Sequence, residues 1–336
     1  MSDSSTFSRP RFARFIAAAF MVLITALGVF GFWIDSEPQL ENAQTAAANL
    51  AQARKETVVT GYTTTAALIQ VTQTLLSKRG GYLTNDVLPP GVLMDNMPEW
   101  EFGVLQQVRD LTRSLRNDMS RSQTQSEEDK DLIIADPLFN VSSDSWLFPS
   151  AESEYGKGVD ALRGYLGRLA DANQNDAQFY ARADNLRRYL EVVESRLGSL
   201  SQRLSSSVGR DAVNTDLANE PNARQSTPAP AVRQERTPWL QIDNVFYEAR
   251  GSTWALAQFL RAIEIDFGPI LDNKNARVSL QQIIRELEAA QGTVMSPMIL
   301  NGSGFGLFAN HSLVMGNYVS RANAAIIDLR QLLEQG

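Results

Sequence analysis

Cysteine is absent from all 336 residues, and histidine occurs once, as His311. A chain without thiols has no disulfide framework, no thiolate nucleophile and no Cys-ligated metal. With a single imidazole, no metal and no cofactor are expected. The acidic run Glu127, Glu128, Asp129 and Asp131 lacks the glycine and the terminal Glu of a calcium loop. A Ser-His-carboxylate triad is poorly served as well. Ser303 and Ser312 lie near His311, but Gly302-Ser303-Gly304 lacks the G-x-S-x-G spacing of a nucleophile elbow. His311 is therefore read as a core or hydrogen-bonded residue, and no catalytic residue is assigned. The same glycines do not follow a strand pattern, so they are no dinucleotide fingerprint. An excess of basic residues is also lacking. The net charge is −7, and the first 34 residues carry three Arg against one Asp. The remainder is thus more acidic than the whole, which argues against a nucleic-acid partner.

Charge is missing altogether from Phe15 to Ile34, twenty residues led in by Arg9, Arg11 and Arg14 and followed by Asp35, Glu37 and Glu41. A hydrocarbon core of about 30 Å needs about twenty apolar residues in a helix. Trp33 falls at the distal boundary, where an indole favours the headgroups. The arginines place the N-terminus in the cytoplasm. A cleaved signal has a shorter apolar region followed by small residues, and Phe32, Trp33 and Ile34 are a poor cleavage context. Residues 1–14 are read as a cytoplasmic tail, 15–34 as an uncleaved transmembrane helix in the lipid bilayer, and the rest as lying across the membrane.

Helical periodicity dominates the chain beyond the span. Residues 39–78 contain no Pro and one Gly, Gly61. Leu40, Ala43, Ala47 and Leu50 recur at helical spacing, which predicts a single helix of about 60 Å. Lys78 and Arg79 suit its C-terminal dipole and Gly80–Gly81 its left-handed stop. The stretch from Gly80 to Trp100 is broken by Pro and Gly yet rich in apolar groups, so it is expected to fold back over a core. Pro98 suits the first turn of a new helix, with Leu105, Val108, Leu111, Leu115 and Met119 as its buried stripe. Residues 132–150 read as an irregular packed segment, and helices are predicted over 152–171 and 175–208. In the second, Leu186, Leu190, Val193, Leu197, Leu200 and Leu204 form a heptad seam, serving an intramolecular bundle or self-association as a homo-oligomer. Residues 205–238 are polar and Pro-containing and read as a disordered linker or insertion. Three more helices are predicted, over 239–267, 275–291 and 310–334. No strand shows convincing alternation. The fold class is all-α: one N-terminal transmembrane helix, then an elongated periplasmic helical bundle with long irregular loops. Region 39–204 is expected to be packed upon by region 239–335.

A second uncharged stretch lies between Glu288 and Arg321. Pro297, Asn301, Gly302 and Asn310 make it unsuitable as a membrane span. It reads as a buried turn between core helices or as a docking surface. Carboxylate pairs, Asp95 with Glu99 and Glu101 beside Trp100, and Glu264 with Asp266, leave open an enzyme acting on an envelope glycan.

Four strings carry a resemblance: KRGGYLTNDVLPPGVLMDNMPEWEFGVL, RDLTRSLRNDMSRSQ, PWLQIDNVFYEARGSTWALAQFLRAIEIDF and SPMILNGSGFGLFANHSLVMGNYVSRANAAIIDLRQLL. On these the chain resembles a proteobacterial family, a domain of unknown function described as predicted inner-membrane proteins. The resemblance implies a Gram-negative envelope location and transfers no activity or catalytic residue. The expected role is a structural, scaffold or adaptor one among other envelope proteins. A glycan hydrolase, an apolar-ligand binder and a sensor are the alternatives. The candidate interaction surface comprises Tyr82, Asp95, Trp100, Glu101, Phe305, Phe308 and His311.

Overall fold

The structure, a computed structural model, describes residues 9–122, 127–173, 176–213, 232–296, 298–303 and 306–335. Eleven α-helices occupy the described residues. They are α1 (Arg9–Ile34), α2 (Ala43–Arg54), α3 (Tyr62–Ser77), α4 (Asn96–Ser114), α5 (Lys130–Phe139), α6 (Ala151–Ala170), α7 (Ala183–Ser205), α8 (Ile242–Asp266), α9 (Gly268–Asn273), α10 (Arg277–Ala289) and α11 (His311–Glu334). The chain is all-α apart from a short antiparallel ribbon, Arg210–Val213 (β1) with Val232–Glu235 (β2), in which Arg210 faces Glu235. Four-residue strands are too short for alternation to be legible in sequence. Between them, 214–231 of the expected linker lie outside the described residues.

Helix α1 carries a 22-residue stretch, Ala13–Ile34, long and apolar enough to cross a membrane, and none of it packs into the bundle except at its end. That end is rooted. Ile34 is 2 % exposed and packs on Gly80.

The single helix expected over 39–78 is two helices, and this is a correction. Lys55 closes α2 at φ 57° and Gly61 opens α3 at φ 88°. Without a Pro the break left little trace in the periodicity. Its cause is tertiary: Thr57 donates to the Ala170 carbonyl at 3.0 Å, and Arg54 donates to the Arg163 carbonyl at 3.2 Å, both on α6. The turn lets α3 run back and bury nearly its whole circumference, from Tyr62 to Leu75. Gly80 and Gly81 do end α3 with φ 82° and 76°, as their lack of a Cβ permits. A second correction concerns 132–150, whose first half is helix α5 with Pro137 inside it.

Helix α8 is the axis. Almost every residue from Phe246 to Ile263 is buried, so α8 has partners on all sides. Helices α3, α4 and α10 pack on it, α11 packs on α7 and α10, and α5 packs on α6. The α4–α8 contact is close because it is built on glycine. A Cβ on Gly251 would strike the Trp100 carbonyl, and one on Gly103 would strike the Glu248 carbonyl and the Ser252 amide. The Trp100 and Trp254 rings then meet at 5.0 Å. The heptad seam is consumed inside the chain. Leu186, Leu190, Val193, Leu197, Leu200 and Leu204 are all buried, chiefly where α7 meets α11.

Pairings along the helices define two ends. At the α1 end, Lys78 meets Glu101, Asn244 meets Glu99, Arg250 meets Glu37 and His311 meets Phe246. At the far end, Thr64 meets Asp266, Arg168 meets Asp131 and Lys274 reaches the Gln335 carbonyl. The starts of α4, α6, α8 and α11 and the ends of α3, α7 and α10 therefore gather where α1 joins the bundle.

Candidate functional site

The α1 end is assembled from loops tied by buried charge. Glu101 is 0 % exposed. Its carboxylate takes Lys78 Nζ at 2.5 Å, the Leu83 and Thr84 amides at 2.9 and 2.8 Å, and the Thr84 hydroxyl at 2.5 Å. Burial pushes this carboxyl up, while Lys78, Thr84 and the Leu83 amide pull it back. The cluster clamps residues 78–84 to α4. Arg250 performs the same service for the exit of α1. It forms a forked pair with Glu37 and donates to the Gly292 carbonyl at 2.9 Å. Asp35, at the foot of α1, is pushed up to about 6, first by burial and then by Glu37 and Asp95, against an opposing hydrogen bond from Asn96.

From these ties three loops project, and their tips are apolar. Residues 86–94 turn toward α1 and expose Val87, Leu88, Val92 and Leu93. Pro90 lies against Gly31 of α1, and Pro89, Pro90 and Leu93 share a cleft of about 450 Å³ with Ile24, Leu27 and Gly28. Residues 142–150 sit beside them, since the Asn85 side chain donates to the Ser145 carbonyl at 2.8 Å and to Glu152 at 2.7 Å. They expose Trp146, Leu147 and Phe148. Both loops contain a cis X-Pro bond, at Pro89–Pro90 and Phe148–Pro149. The third loop, 292–310, exposes Met295, Met298, Leu307 and Phe308. Its base is pinned. Asn310 caps α11 by accepting from the Leu313 amide at 2.8 Å, and Asn301 donates to the Ser207 carbonyl at 2.8 Å.

Several expected surface residues are elsewhere. Tyr82, Trp100 and Glu101 are buried and belong to the core and its clamp, so they present nothing to a partner. Their apolar and acidic character reflects a loop fastened down, which the sequence pattern does not distinguish from a docking loop. His311 is half-buried, and its Nδ1 accepts from the Leu300 amide at 3.0 Å, closing the 292–310 loop. Asp95 is exposed and caps α4, and Phe308 is exposed. Phe305 lies outside the described residues. The suspected carboxylates do not converge. Asp95 lies at the cleft with α1, Glu99 accepts from Asn244 at 3.2 Å, and Glu101 faces Lys78. Asp266 accepts from the Thr64 amide and hydroxyl at 2.7 Å each and caps α3, while Glu264 accepts from Gln281.

On the bundle's flank, α4, α7 and α8 enclose an open polar cleft of about 800 Å³. Three of its arginines are engaged by its carboxylates. Arg196 forks onto Asp110 at 2.7 and 3.1 Å, Arg203 forks onto Glu248, and Arg188 meets Asp118 at 2.9 Å. It reads as a ladder holding α7 to α4 and α8.

A family model described as an uncharacterized protein conserved in bacteria, DUF2333, matches residues 9–336. The chain belongs to this family. The match to DUF2333 runs from α1 through α11, so the apolar helix and the bundle are parts of one family unit. No curated protein and no solved structure matches the chain. Residues that sequence reasoning missed are Trp146, Leu147 and Phe148. Three consecutive large apolar residues before a Pro, between polar flanks, were a signal of an exposed tip.

Proposed function

We propose that this chain is a non-catalytic scaffold of a bacterial inner membrane. It is single-pass, with a cytoplasmic N-terminus and a periplasmic bundle, and it holds other envelope proteins beside the bilayer. The orientation rests on Arg9, Arg11 and Arg14 preceding the span. The absence of catalysis is supported by the carboxylates, which are occupied in capping helices and clamping loops.

The observation that carries the adaptor role is the 292–310 loop. It contains no Asp, Glu, Lys or Arg, exposes Met295, Met298, Leu307 and Phe308, and stands at the level where α1 leaves the bundle. Exposed clusters of this kind suit close docking of an apolar partner surface. Methionine adapts readily to such a surface. The partner is an apolar segment of another membrane protein close to the bilayer.

Site-specific photo-cross-linkers at Met295 and Phe308, with one at Val278 on the far end, test this in intact membranes. A discrete protein adduct from Met295 and Phe308 that Val278 does not give is the expected result. Absence of protein adducts, or the same adducts from all three sites, would overturn the adaptor reading.

A further inference from the structure

We infer that the paired loops 86–94 and 142–150 enter the outer leaflet beside α1, giving the bundle a second, monotopic grip on the lipid. The inference rests on the reading of α1 as a membrane span.

Depth is the first argument. In an α-helix Leu27 lies about 10 Å below Ile34 along the axis. Ile34 is buried in the bundle, so no flexible linker separates the span from the base. Pro90 nevertheless lies against Gly31, and Pro89, Pro90 and Leu93 face Ile24, Leu27 and Gly28 across one cleft. Whatever surrounds that part of α1 also surrounds the tip of the loop. With a half-bilayer of about 15 Å, the tip stands within the outer hydrocarbon layer.

Chemistry is the second. Residues 87–94 and 145–150 contain no charged group, and Asp86, Asp95, Asp144 and Glu152 bracket them. Leu88 and Leu93 are 73 % and 78 % exposed, and Phe148 is fully exposed. An uncharged apolar tip is costly in water and suited to the hydrocarbon side of a lipid boundary, with the bracketing acids left on the aqueous side. Trp146 provides the aromatic group favoured at headgroup level, and Trp33 of α1 lies under the Arg79 guanidinium at 5.7 Å. The Asn85 side chain holds the two loops together, so they would enter as one unit.

The chain has no cysteine, so single-cysteine variants need no background removal. Leu88→Cys, Leu93→Cys and Phe148→Cys of the full chain would each carry an environment-sensitive NBD label. Val22→Cys in the span and Val278→Cys at the far end are the references. The labelled proteins are reconstituted in vesicles of phosphatidylethanolamine and phosphatidylglycerol doped, in separate preparations, with a shallow and a deep acyl-chain spin label. Labels at 88, 93 and 148 should be blue-shifted and quenched by the spin-labelled lipid as Val22 is. Iodide in the buffer should reach Val278 alone. Iodide quenching at 88, 93 and 148 together with lipid quenching at Val22 would overturn the inference and leave the span intact. A blue shift that follows protein density without lipid quenching would mean that protein covers the loops, and would overturn it too. If Val22 itself meets iodide, the span reading falls and takes the inference with it.

Discussion

At the far end the connections are tied by ions at the rim: a largely buried Arg168 gathers Asp129 and Asp131 at 2.7 and 2.6 Å with the more open Asp176 beyond them, and Arg277 forks onto the exposed Asp272. At the α1 end the difference lies in what the loops turn outward. Charge is used inside, in the Lys78–Glu101 and Arg250–Glu37 pairs, and the apolar groups are turned outward at the loop tips. Keeping a large apolar side chain in water forgoes about 1.5–3 kcal/mol of burial. The two ends therefore differ less in how their connections are tied than in what their loops turn outward.

Breaking the internal clamp should give the largest effect. Glu101→Gln leaves Lys78 buried without a counter-charge, at a cost of about 3–5 kcal/mol, read as a fall in the thermal midpoint of the full chain in detergent. Gly251→Ala comes next. Its methyl group collides with the Trp100 carbonyl, so α4 and α8 must separate, at about 3 kcal/mol by the same assay. The far end should be more forgiving. Arg168→Met removes charge-assisted bonds to the nearly buried Asp129 and the partly solvated Asp131, for about 2 kcal/mol by the same assay.

The smallest effect concerns pH. Asp35 binds its proton more tightly when folded, at about 6, than in an unfolded chain at 3.8. Its contribution is therefore fully present below the unfolded value and is lost as pH rises through about 6. Asp35→Asn should flatten that decline and stabilise the protein near neutrality by about 1 kcal/mol, once solvent screening is discounted. Unfolding midpoints between pH 4 and 7 would show it. A decline of equal size in the variant would place the pH dependence elsewhere.

The same contrast decides how far the sequence could be read. The helices α4, α6, α7, α8, α10 and α11 were legible because each buries a stripe, and stripes repeat. The membrane-length helix was legible from the missing charge. The split of α2 from α3 was not, since contacts to α6, over a hundred residues away in sequence, decide it. Within the candidate surface, the burial of Tyr82, Trp100 and Glu101 was hidden for a similar reason. Trp100 and Phe308 are both aromatic residues near Gly or Pro, and only the third dimension buries one against Trp254 and exposes the other. Burial of Glu101 was equally hidden, because its partner Lys78 lies 23 positions earlier and reads as an ordinary helix-ending cation.

The rooting of Ile34 has a mechanical side. A helix whose last residue is buried in the bundle transmits torque to it, so the two tend to tilt together. The 25 residues of α8 rise about 37 Å. If α1 spans a bilayer as proposed, anything that grips the far cap is carried at a stand-off from it, and a sideways pull there acts on the membrane through a lever of about that length.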